Sequence, residues 1–483
     1  MWRHGLGLAA IFSLACSGGA GSEGSDTESG SEASTATATA TTGMSSETGG
    51  SATATESATA TDGTDTDTAG TDTAGTGEGC GVGTPWSADA PGPFIISYDG
   101  DGVLMPYPSR PRPSEDGRYV LFTTLTQPGN LLAMWRLDNK CGAVVSVPVA
   151  GYDPTELAAD LDDLELSRDG STVVFTARGP ESGQLRAFAI DVASGALELL
   201  DLLPDGTEGV GVSDSVSVSA DGRFVAFTTN LKVTADDDDL GIWDIVVRDR
   251  EAGVTELISV DNEGKKSSNH CYAPSISADG RFVAFEAFAS SLSPEYWSNG
   301  THAYVRDRQE NVLELASPQP PGLANGTSTG WRPHISADGR YVAFATDYGH
   351  AAEDTDEESD VYLLDRESAA LELASTATFA TLGETADNEP WLSDDGQRLV
   401  YIAYGLADPY PAAALLKDRA SGATIEPTPG PGVDLLDLDL SALRVSPDGA
   451  WIISIAGPAD AIDPPLGPGQ TALVMQRVDA LLE

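Results

Sequence analysis

Ser328 lies in a segment whose letters match a serine-hydrolase signature. Gly326-Thr327-Ser328-Thr329-Gly330 fits the Gly-x-Ser-x-Gly pattern, in which a sharp turn between an apolar strand and a helix exposes the nucleophile. Here the segment follows the Pro- and Gly-rich stretch 318–322 and precedes a strand-like run, so we predict a loop. The sequence also lacks a His-Glu-x-x-His motif and a phosphate-cradling glycine loop. We therefore predict a protein without enzymatic activity.

Two acidic runs could hold a hard cation. Asp236 and Asp238 precede Asp244, and Asp354 and Asp356 precede Asp360. Carboxylates at alternate positions suit Ca²⁺, although the EF-hand glycine at position six and glutamate at position twelve are missing. Two interpretations stay open, a calcium site formed by these six residues and a solvated run of charge.

A third set combines aromatic, basic and acidic side chains that lie shortly before a recurring Ser-x-Asp-Gly segment. It consists of Arg110, Arg112, His270, Tyr272, Trp331, Arg332, His334, Glu389 and Trp391. Trp, Tyr and Arg are the residue types that dominate binding hot spots. In an acidic protein the Arg and His residues indicate a site for an anion or a peptide carboxylate. The alternative is structural, with aromatic rings in the core and arginines paired to nearby acids.

The recurring segment is the element that must position these residues. Ser219–Phe227 (Ser-Ala-Asp-Gly-Arg-Phe-Val-Ala-Phe) returns almost unchanged at Ser277–Phe285 and Ser336–Phe344. Looser copies begin at Ser114, Ser167, Ser393 and Ser446. Asp-Gly favours a tight turn because glycine adopts positive φ readily. Each copy is followed by two further strand-like runs, which predicts a four-stranded antiparallel unit.

The second strand of each unit indicates how the units pack. Phe224–Phe227 is apolar on both sides, whereas a strand with one wet face should alternate. A strand that is apolar on both faces lies between two layers. Seven such sheets, each covered by its neighbours, predict an all-β fold of the β-propeller type.

Pro274–Phe285 and Asp360–Asp365 resemble the repeat of TolB-like, WD-repeat-like propellers, and Pro333–Phe344 keeps the pattern with a shifted proline. The resemblance covers residues 91–483. It implies that the third set of residues faces a central funnel, where such folds bind partners. TolB is usually described as six-bladed, but seven units occur here, so we predict seven four-stranded blades with six as the alternative. Pro93–Ser97 is predicted to close the ring in the last blade, whose own fourth strand is Val478–Leu482.

The N-terminus predicts export. Residues 1–16 combine a short basic start with an apolar run too short to span a membrane, and end at Cys16. This resembles a bacterial lipoprotein signal in which Cys16 carries the lipid; a simple secretory signal is the alternative. Residues 17–80, rich in Ser, Thr, Ala and Gly, predict a disordered tether. We expect an outer-membrane lipoprotein facing the periplasm or the cell surface, held at the membrane by its lipid alone.

The charge restricts the partners. The chain has a net charge of −49. Residues 17–80 hold 11 of the 75 acidic residues and none of the 26 basic ones, and residues 1–16 hold one basic residue, which leaves a net charge of −39 on the rest. Such a body repels nucleic acid and anionic membrane surfaces.

Three cysteines remain besides Cys16. An oxidising envelope permits one disulfide, for which we prefer Cys80–Cys141, leaving Cys271 unpaired. We predict a binding or scaffold protein for an envelope protein, peptide or glycan. The alternatives are a hydrolase or lyase with its active site in the funnel, and a calcium-stabilised surface structural protein.

Overall fold

Strands make up nearly all the regular structure of the computed structural model. The residues described are 94–97, 104–105, 108–125, 132–138, 143–147, 161, 163–178, 183–234, 241–288, 292, 300–318, 330–347, 349–351, 354, 359–375, 385–405, 412–425, 443–456, 467 and 470–482. None of the helices among these residues has the length and apolarity needed to cross a membrane. The all-β prediction is confirmed.

The strands form seven four-stranded antiparallel sheets, here called blades 1 to 7. Blade 1 comprises β2 (Pro108–Pro113), β3 (Tyr119–Leu125), β4 (Leu132–Asp138) and β5 (Ala143–Ser146). Blade 2 comprises β6 (Leu164–Leu166), β7 (Thr172–Arg178), β8 (Leu185–Asp191) and β9 (Leu197–Leu199). Blade 3 comprises β10 (Ser213–Val218), β11 (Phe224–Thr229), β12 (Asp244–Asp249) and β13 (Val254–Leu257). Blade 4 comprises β14 (Cys271–Ile276), β15 (Phe282–Ala287), β16 (His302–Asp307) and β17 (Val312–Leu315). Blade 5 comprises β18 (Trp331–Ile335), β19 (Tyr341–Thr346), β20 (Asp360–Asp365) and β21 (Ala370–Leu373). Blade 6 comprises β22 (Thr385–Leu392), β23 (Arg398–Gly405), β24 (Ala412–Asp418) and β25 (Thr424–Ile425). Blade 7 comprises β26 (Arg444–Val445), β27 (Trp451–Ala456), β28 (Ala472–Arg477) and the N-terminal β1 (Phe94–Ile95).

Strand β1 closes the ring as predicted. It pairs antiparallel with β28, with Phe94 opposite Met475 and Ile95 opposite Val474. The prediction that Val478–Leu482 forms a fourth strand is wrong, because this segment is a short helix, α1. The edge of β28 is already occupied by β1. The helix instead places Val478, Leu481 and Leu482 on one face, where they pack against a core cluster of blades 6 and 7.

The cores lie between blades. Val225, Ala226 and Phe227 of β11 are fully buried. One cluster combines Val174 of blade 2 with Phe227 of blade 3, and another combines Phe122 of blade 1 with Met475 of blade 7. Each second strand therefore lies between two layers, as its lack of alternation predicts.

The Ser-x-Asp-Gly turn is built from its own side chains. Ser219 Oγ donates to Asp221 Oδ1 at 2.7 Å, and Ser219 Oγ accepts the N–H of Phe224 at 2.9 Å. Gly280 has φ +72°, and a Cβ there would overlap the ring of Phe224 in the preceding blade. The glycine thus serves both the turn and the close approach of neighbouring blades.

The residue marked x in each turn joins the blades in a closed ring of backbone hydrogen bonds. Most links run from one x residue to the next, such as Ala278 N–H to Ala337 O at 2.9 Å. Pro447 has no N–H, and Asp448 N–H closes the ring to Glu115 O at 3.0 Å. The seven links are Glu115 to Arg168, Asp169 to Ala220, Ala220 to Ala278, Ala278 to Ala337, Ala337 to Asp394, Asp394 to Pro447 and Asp448 to Glu115.

Arginines tie the outer parts of adjacent blades together. Arg308 of blade 4 binds Glu256 of blade 3 at 2.8 Å and lies 4.8 Å above the ring of Phe224 in blade 3. Arg366 repeats this arrangement between blades 5 and 4, and Arg419 between blades 6 and 5. In blades 4, 5 and 6 the Asp-Arg pair at the end of the third strand therefore stabilises the contact with the preceding blade.

Candidate functional site

The first strands of the blades surround a central funnel. In each first strand, the residue two positions before the turn serine points to the axis. These seven side chains form what we call the channel layer. It consists of Arg112, Glu165, Ser217, Ser275, His334, Trp391 and Arg444, and the first six line a cavity on the axis. This cavity has a volume of about 50 Å³, which is room for a few waters.

An ion pair crosses the funnel at its narrow end. Arg168 of blade 2 and Asp394 of blade 6 are x residues, and Arg168 Nη1 lies 2.8 Å from Asp394 Oδ2. Burial raises the pKa of Asp394 to about 6, although Arg168 opposes this. Burial also lowers the pKa of Arg168. Together with the backbone ring, this pair closes the axis below the channel layer.

Arg112 and Glu165 form a second pair within the channel layer. Arg112 Nε donates to Glu165 Oε1 at 3.0 Å, and Arg112 Nη2 lies 3.9 Å from Asp163 Oδ1. Burial raises the pKa of Glu165 to about 7, and the charge of Arg112 only partly offsets this. A carboxyl group that titrates near neutrality in a funnel can exchange protons with a ligand.

His334 is held as a neutral ring against Trp391. The ring centroids are 4.3 Å apart, and the Leu392 N–H donates to His334 Nδ1 at 3.3 Å. Burial lowers the pKa of His334 to about 3, and the charges of Arg168, Arg444 and Arg112 act in the same direction. Arg444 and Arg112 lie 4.6 and 5.5 Å from the centroid of Trp391. The guanidinium groups of Arg112 and Arg444 therefore stack on the indole ring of Trp391.

Replacing Glu165 with glutamine is expected to change how stability depends on pH. The pKa of Glu165 is about 7 in the folded protein against 4.5 for the ordinary group, so the folded state binds an extra proton between these values. This contribution to stability is fully present below pH 4.5 and is lost as the pH rises to 7. The free energy of unfolding of Glu165→Gln should therefore rise relative to that of the wild type by about 3 kcal/mol between pH 4.5 and 7.5.

Urea unfolding at several pH values measures this difference. Glu263→Gln, at an exposed turn position, is the matched control, and its free energy of unfolding should change with pH as that of the wild type does. If Glu165→Gln also runs parallel, Glu165 is not protonated on folding.

The funnel mouth is shaped by β-bulges that the sequence did not reveal. Four residues before the turn serine, Arg110, Ser215, Ala273 and Arg332 have φ values of 51°, 47°, 51° and 48°. At each of them the pairing register between first and second strands shifts. Carboxylates of the preceding blade hold two of these bulges: Asp163 Oδ2 accepts the Val216 N–H at 2.9 Å, and Glu286 Oε2 accepts the Arg332 N–H at 2.8 Å.

The predicted funnel residues divide by depth. Arg112, His334 and Trp391 lie together in the channel layer, whereas Arg110 and Arg332 lie at the mouth. His270, Tyr272 and Trp331 also lie at the mouth, at or just before the start of a first strand. Glu389 lies in β22, and its side chain is outside the described residues. Sequence reasoning missed Glu165, Arg168, Asp394 and Arg444.

The described members of the predicted calcium set have protein partners. Asp244 binds Lys266 Nζ at 2.9 Å, Asp354 accepts the Tyr362 hydroxyl at 2.7 Å, and Asp360 accepts the Ser375 hydroxyl at 2.6 Å. Asp236, Asp238 and Asp356 lie outside the described residues. Within the described part of the chain, no three His, Cys, Asp or Glu side chains are grouped to hold a metal ion. Calcium binding stays a prediction, which the melting temperature with Ca²⁺ and with a chelator would test.

Most of the predictions for cysteines, and the one for Ser328, concern residues that the structure does not describe. Cys16, Cys80, Cys141 and Ser328 lie outside the described residues, as do segments 1–16 and 17–80. Cys271 is buried without a disulfide, and burial raises the pKa of its thiol to about 12. This thiol is therefore protonated at neutral pH and unsuited to act as a nucleophile.

Comparison with known proteins finds distant structural likeness and no match in sequence. No protein-family model matches the chain, and no curated protein sequence matches it. Similar solved structures include a putative TolB from Agrobacterium tumefaciens (19% identity, 55% of this chain and 79% of that one, TM-score 0.35) and TolB from Acinetobacter baumannii (13%, 74% and 80%, TM-score 0.38). An oligogalacturonate lyase in complex with manganese is another (12%, 78% and 91%, TM-score 0.48). The chain is a β-propeller with distant structural similarity to TolB-like propellers, and at these identities the likeness is one of fold.

Proposed function

We propose that the protein is an envelope-anchored lipoprotein whose propeller binds a protein, peptide or glycan at the funnel mouth without catalysing a reaction. One observation carries the binding proposal. The narrow end of the funnel is closed by the Arg168–Asp394 pair, and the layer above it is filled by paired or stacked side chains. A ligand larger than a few waters therefore meets the wide mouth, where Arg110 and Arg332 lie on strained bulges.

The anchoring and the finer classification rest on the sequence. The segment ending at Cys16 resembles a lipoprotein signal, and residues 17–80 have the composition of a tether. The Ser-x-Asp-Gly repeat supports membership of the TolB-like propellers. A lipid on Cys16 followed by a tether would hold the propeller away from the membrane surface.

Affinity capture from envelope extract tests the binding proposal. We expect the wild type to retain a stoichiometric partner and the variant Arg110→Ala/Arg332→Ala to lose it. The matched control is Arg223→Ala/Arg340→Ala, because these two arginines follow Ser-x-Asp-Gly turns at the opposite end of the blades. A partner that both variants retain equally contradicts binding at the mouth.

A funnel enzyme, a hydrolase or a lyase, is the second candidate because of Glu165. Its pKa of about 7 and its bond to Arg112 are properties of a general acid or base. This candidate requires a substrate whose reacting group is small enough to enter the channel layer from the mouth. It also requires turnover of that envelope glycan or peptide by the wild type, which Glu165→Gln abolishes and Glu263→Gln preserves. Turnover that survives Glu165→Gln would remove Glu165 from the reaction.

A further inference from the structure

Four aromatic rings meet at the funnel mouth between blades 3 and 4. Trp243 immediately precedes β12, His270 and Tyr272 lie at the start of β14, and Phe288 follows β15. In antiparallel sheets these points lie at the same end of neighbouring blades. Phe288 is 41% exposed, which is unusual for a large apolar side chain in this protein. We call these four residues the aromatic corner.

The rings stand at angles to one another. Tyr272 lies 6.2 Å from Trp243 with an interplanar angle of 41°, and 6.4 Å from Phe288 with an angle of 85°. His270 stacks on Tyr272 at 5.9 Å and 25°, and its Nδ1 accepts the backbone N–H of Trp243 at 3.1 Å. The face of an aromatic ring attracts a cation that lies over it.

Two carboxylates adjoin the corner. Glu286 is the direct cross-strand partner of Tyr272 in the β14–β15 pair. Asp214 occupies in β10 the position that Tyr272 occupies in β14, five residues before the turn serine, and β10 and β14 are neighbouring first strands. Burial raises the pKa of Tyr272, and the charges of Glu286 and Asp214 raise it further, which agrees with this placement. Ring faces and carboxylates both attract positive charge.

We propose that the aromatic corner, with Glu286 and Asp214, is a docking site for a basic peptide segment that inserts a lysine or arginine side chain against Tyr272. The proposal rests on the proposed binding function and names one chemical feature of its partner, a basic side chain; the groups that Arg110 and Arg332 contact belong to other parts of the same partner. Charge complementarity supports it, because the chain outside residues 1–80 carries a net charge of −39. The charge of this ligand is opposite to that of the anion predicted from the arginines and histidines of the funnel, because the corner combines acidic residues with aromatic rings.

Calorimetric titration of the full chain at 0.15 M salt tests the proposal with three probes. They are a tetralysine peptide, the same peptide with its side-chain amines acetylated, and a neutral hexasaccharide. We expect the tetralysine peptide to bind, acetylation to abolish binding, and Phe288→Ala and Glu286→Gln each to weaken binding about tenfold. Glutamine keeps the acceptor for the Arg332 N–H, so Glu286→Gln changes the charge alone.

Val312→Ala is the matched control. Val312 is 39% exposed and lies in β17 of the same blade, at the other end of the sheet, so its replacement should leave binding unchanged. Equal binding by wild type, Phe288→Ala and Glu286→Gln would overturn the proposal, because overall charge would then explain the attraction. Hexasaccharide binding that needs Phe288, without peptide binding, would also overturn it. In either case, loss of a captured partner in Arg110→Ala/Arg332→Ala would leave the proposed binding function standing.

Discussion

Replacing Gly339 with alanine is expected to lower the free energy of unfolding by about 3 kcal/mol. Gly339 has φ +74°, a conformation that costs an alanine about 1 kcal/mol. A Cβ would also overlap the ring carbons of Phe282 in the preceding blade. That ring cannot move aside, because it lies between Arg281 and Arg366, whose guanidinium carbons are 4.7 and 4.5 Å from its centroid. Overpacking of this kind adds about 1–3 kcal/mol.

Gly264→Ala separates the two causes. Gly264 has φ +82° and no atom within 4 Å of its would-be Cβ, so this variant should lose only about 1 kcal/mol. Urea unfolding followed by tryptophan fluorescence measures both losses. Equal losses in the two variants would mean that the contact between turn glycine and neighbouring ring contributes nothing.

Most of the fold could be predicted from the Ser-x-Asp-Gly repeat. Ser219, Asp221 and Gly222 form the turn that their types predict, and Phe227 is buried between two blades as the unbroken apolar run requires. The N-terminal strand closes the last blade because the C-terminal blade supplies only three strands of its own. The five residues of α1 could not be assigned from pattern, because Val478 and Leu482 fit both a short strand and one helical face.

The bulges at the mouth were not predictable from residue type. Positive φ is expected at glycine, whereas the mouth has it at Arg110, Ser215, Ala273 and Arg332. The neighbouring blade imposes this conformation at two places through the carboxylates of Asp163 and Glu286, which accept the N–H groups that the bulges expose. Such contacts depend on the distance between blades and leave no trace in a local pattern.

The closure of the axis depends on the ring as a whole. Arg168 and Asp394 are 226 residues apart and meet because blades 2 and 6 face each other across the funnel. One signal could have identified them: every x residue of Ser-x-Asp-Gly lies at the axis, and at these two places the letter is Arg and Asp. The same reasoning applied two residues before the serine gives Glu165 and Arg444. Aromatic and basic residues drew attention to Arg112, His334 and Trp391, but a lone glutamate in an acidic sequence did not stand out.

Replacing Asp201 with asparagine is expected to cost about 3–5 kcal/mol of unfolding free energy. Asp201 is fully buried, and its Oδ2 accepts Arg186 Nε at 2.8 Å and the Ser213 hydroxyl at 2.6 Å. The Arg186 side chain is only 1% exposed. Asparagine keeps the shape of the side chain but removes the charge, so the buried guanidinium of Arg186 keeps only the exposed carboxylate of Glu208, 3.5 Å from its Nη1, as counter-charge. The loss appears as a lower urea midpoint at unchanged slope.

A double-mutant cycle identifies the cause of that loss. Arg186→Met alone should cost about as much, because it leaves the carboxylate of Asp201 buried, and Arg186→Met/Asp201→Asn should cost well below the sum of the single variants, because neither charge then remains. Glu251→Gln is the control: it removes the pair of Glu251 with Arg223, whose side chains are 73% and 40% exposed, and should cost below about 1 kcal/mol. Additive losses at Arg186 and Asp201 would show that the two charges do not compensate each other. A large coupling energy would instead show that this ion pair stabilises the contact between blades 2 and 3. Ser213, the first residue of the first strand of blade 3, donates a hydrogen bond to the same carboxylate.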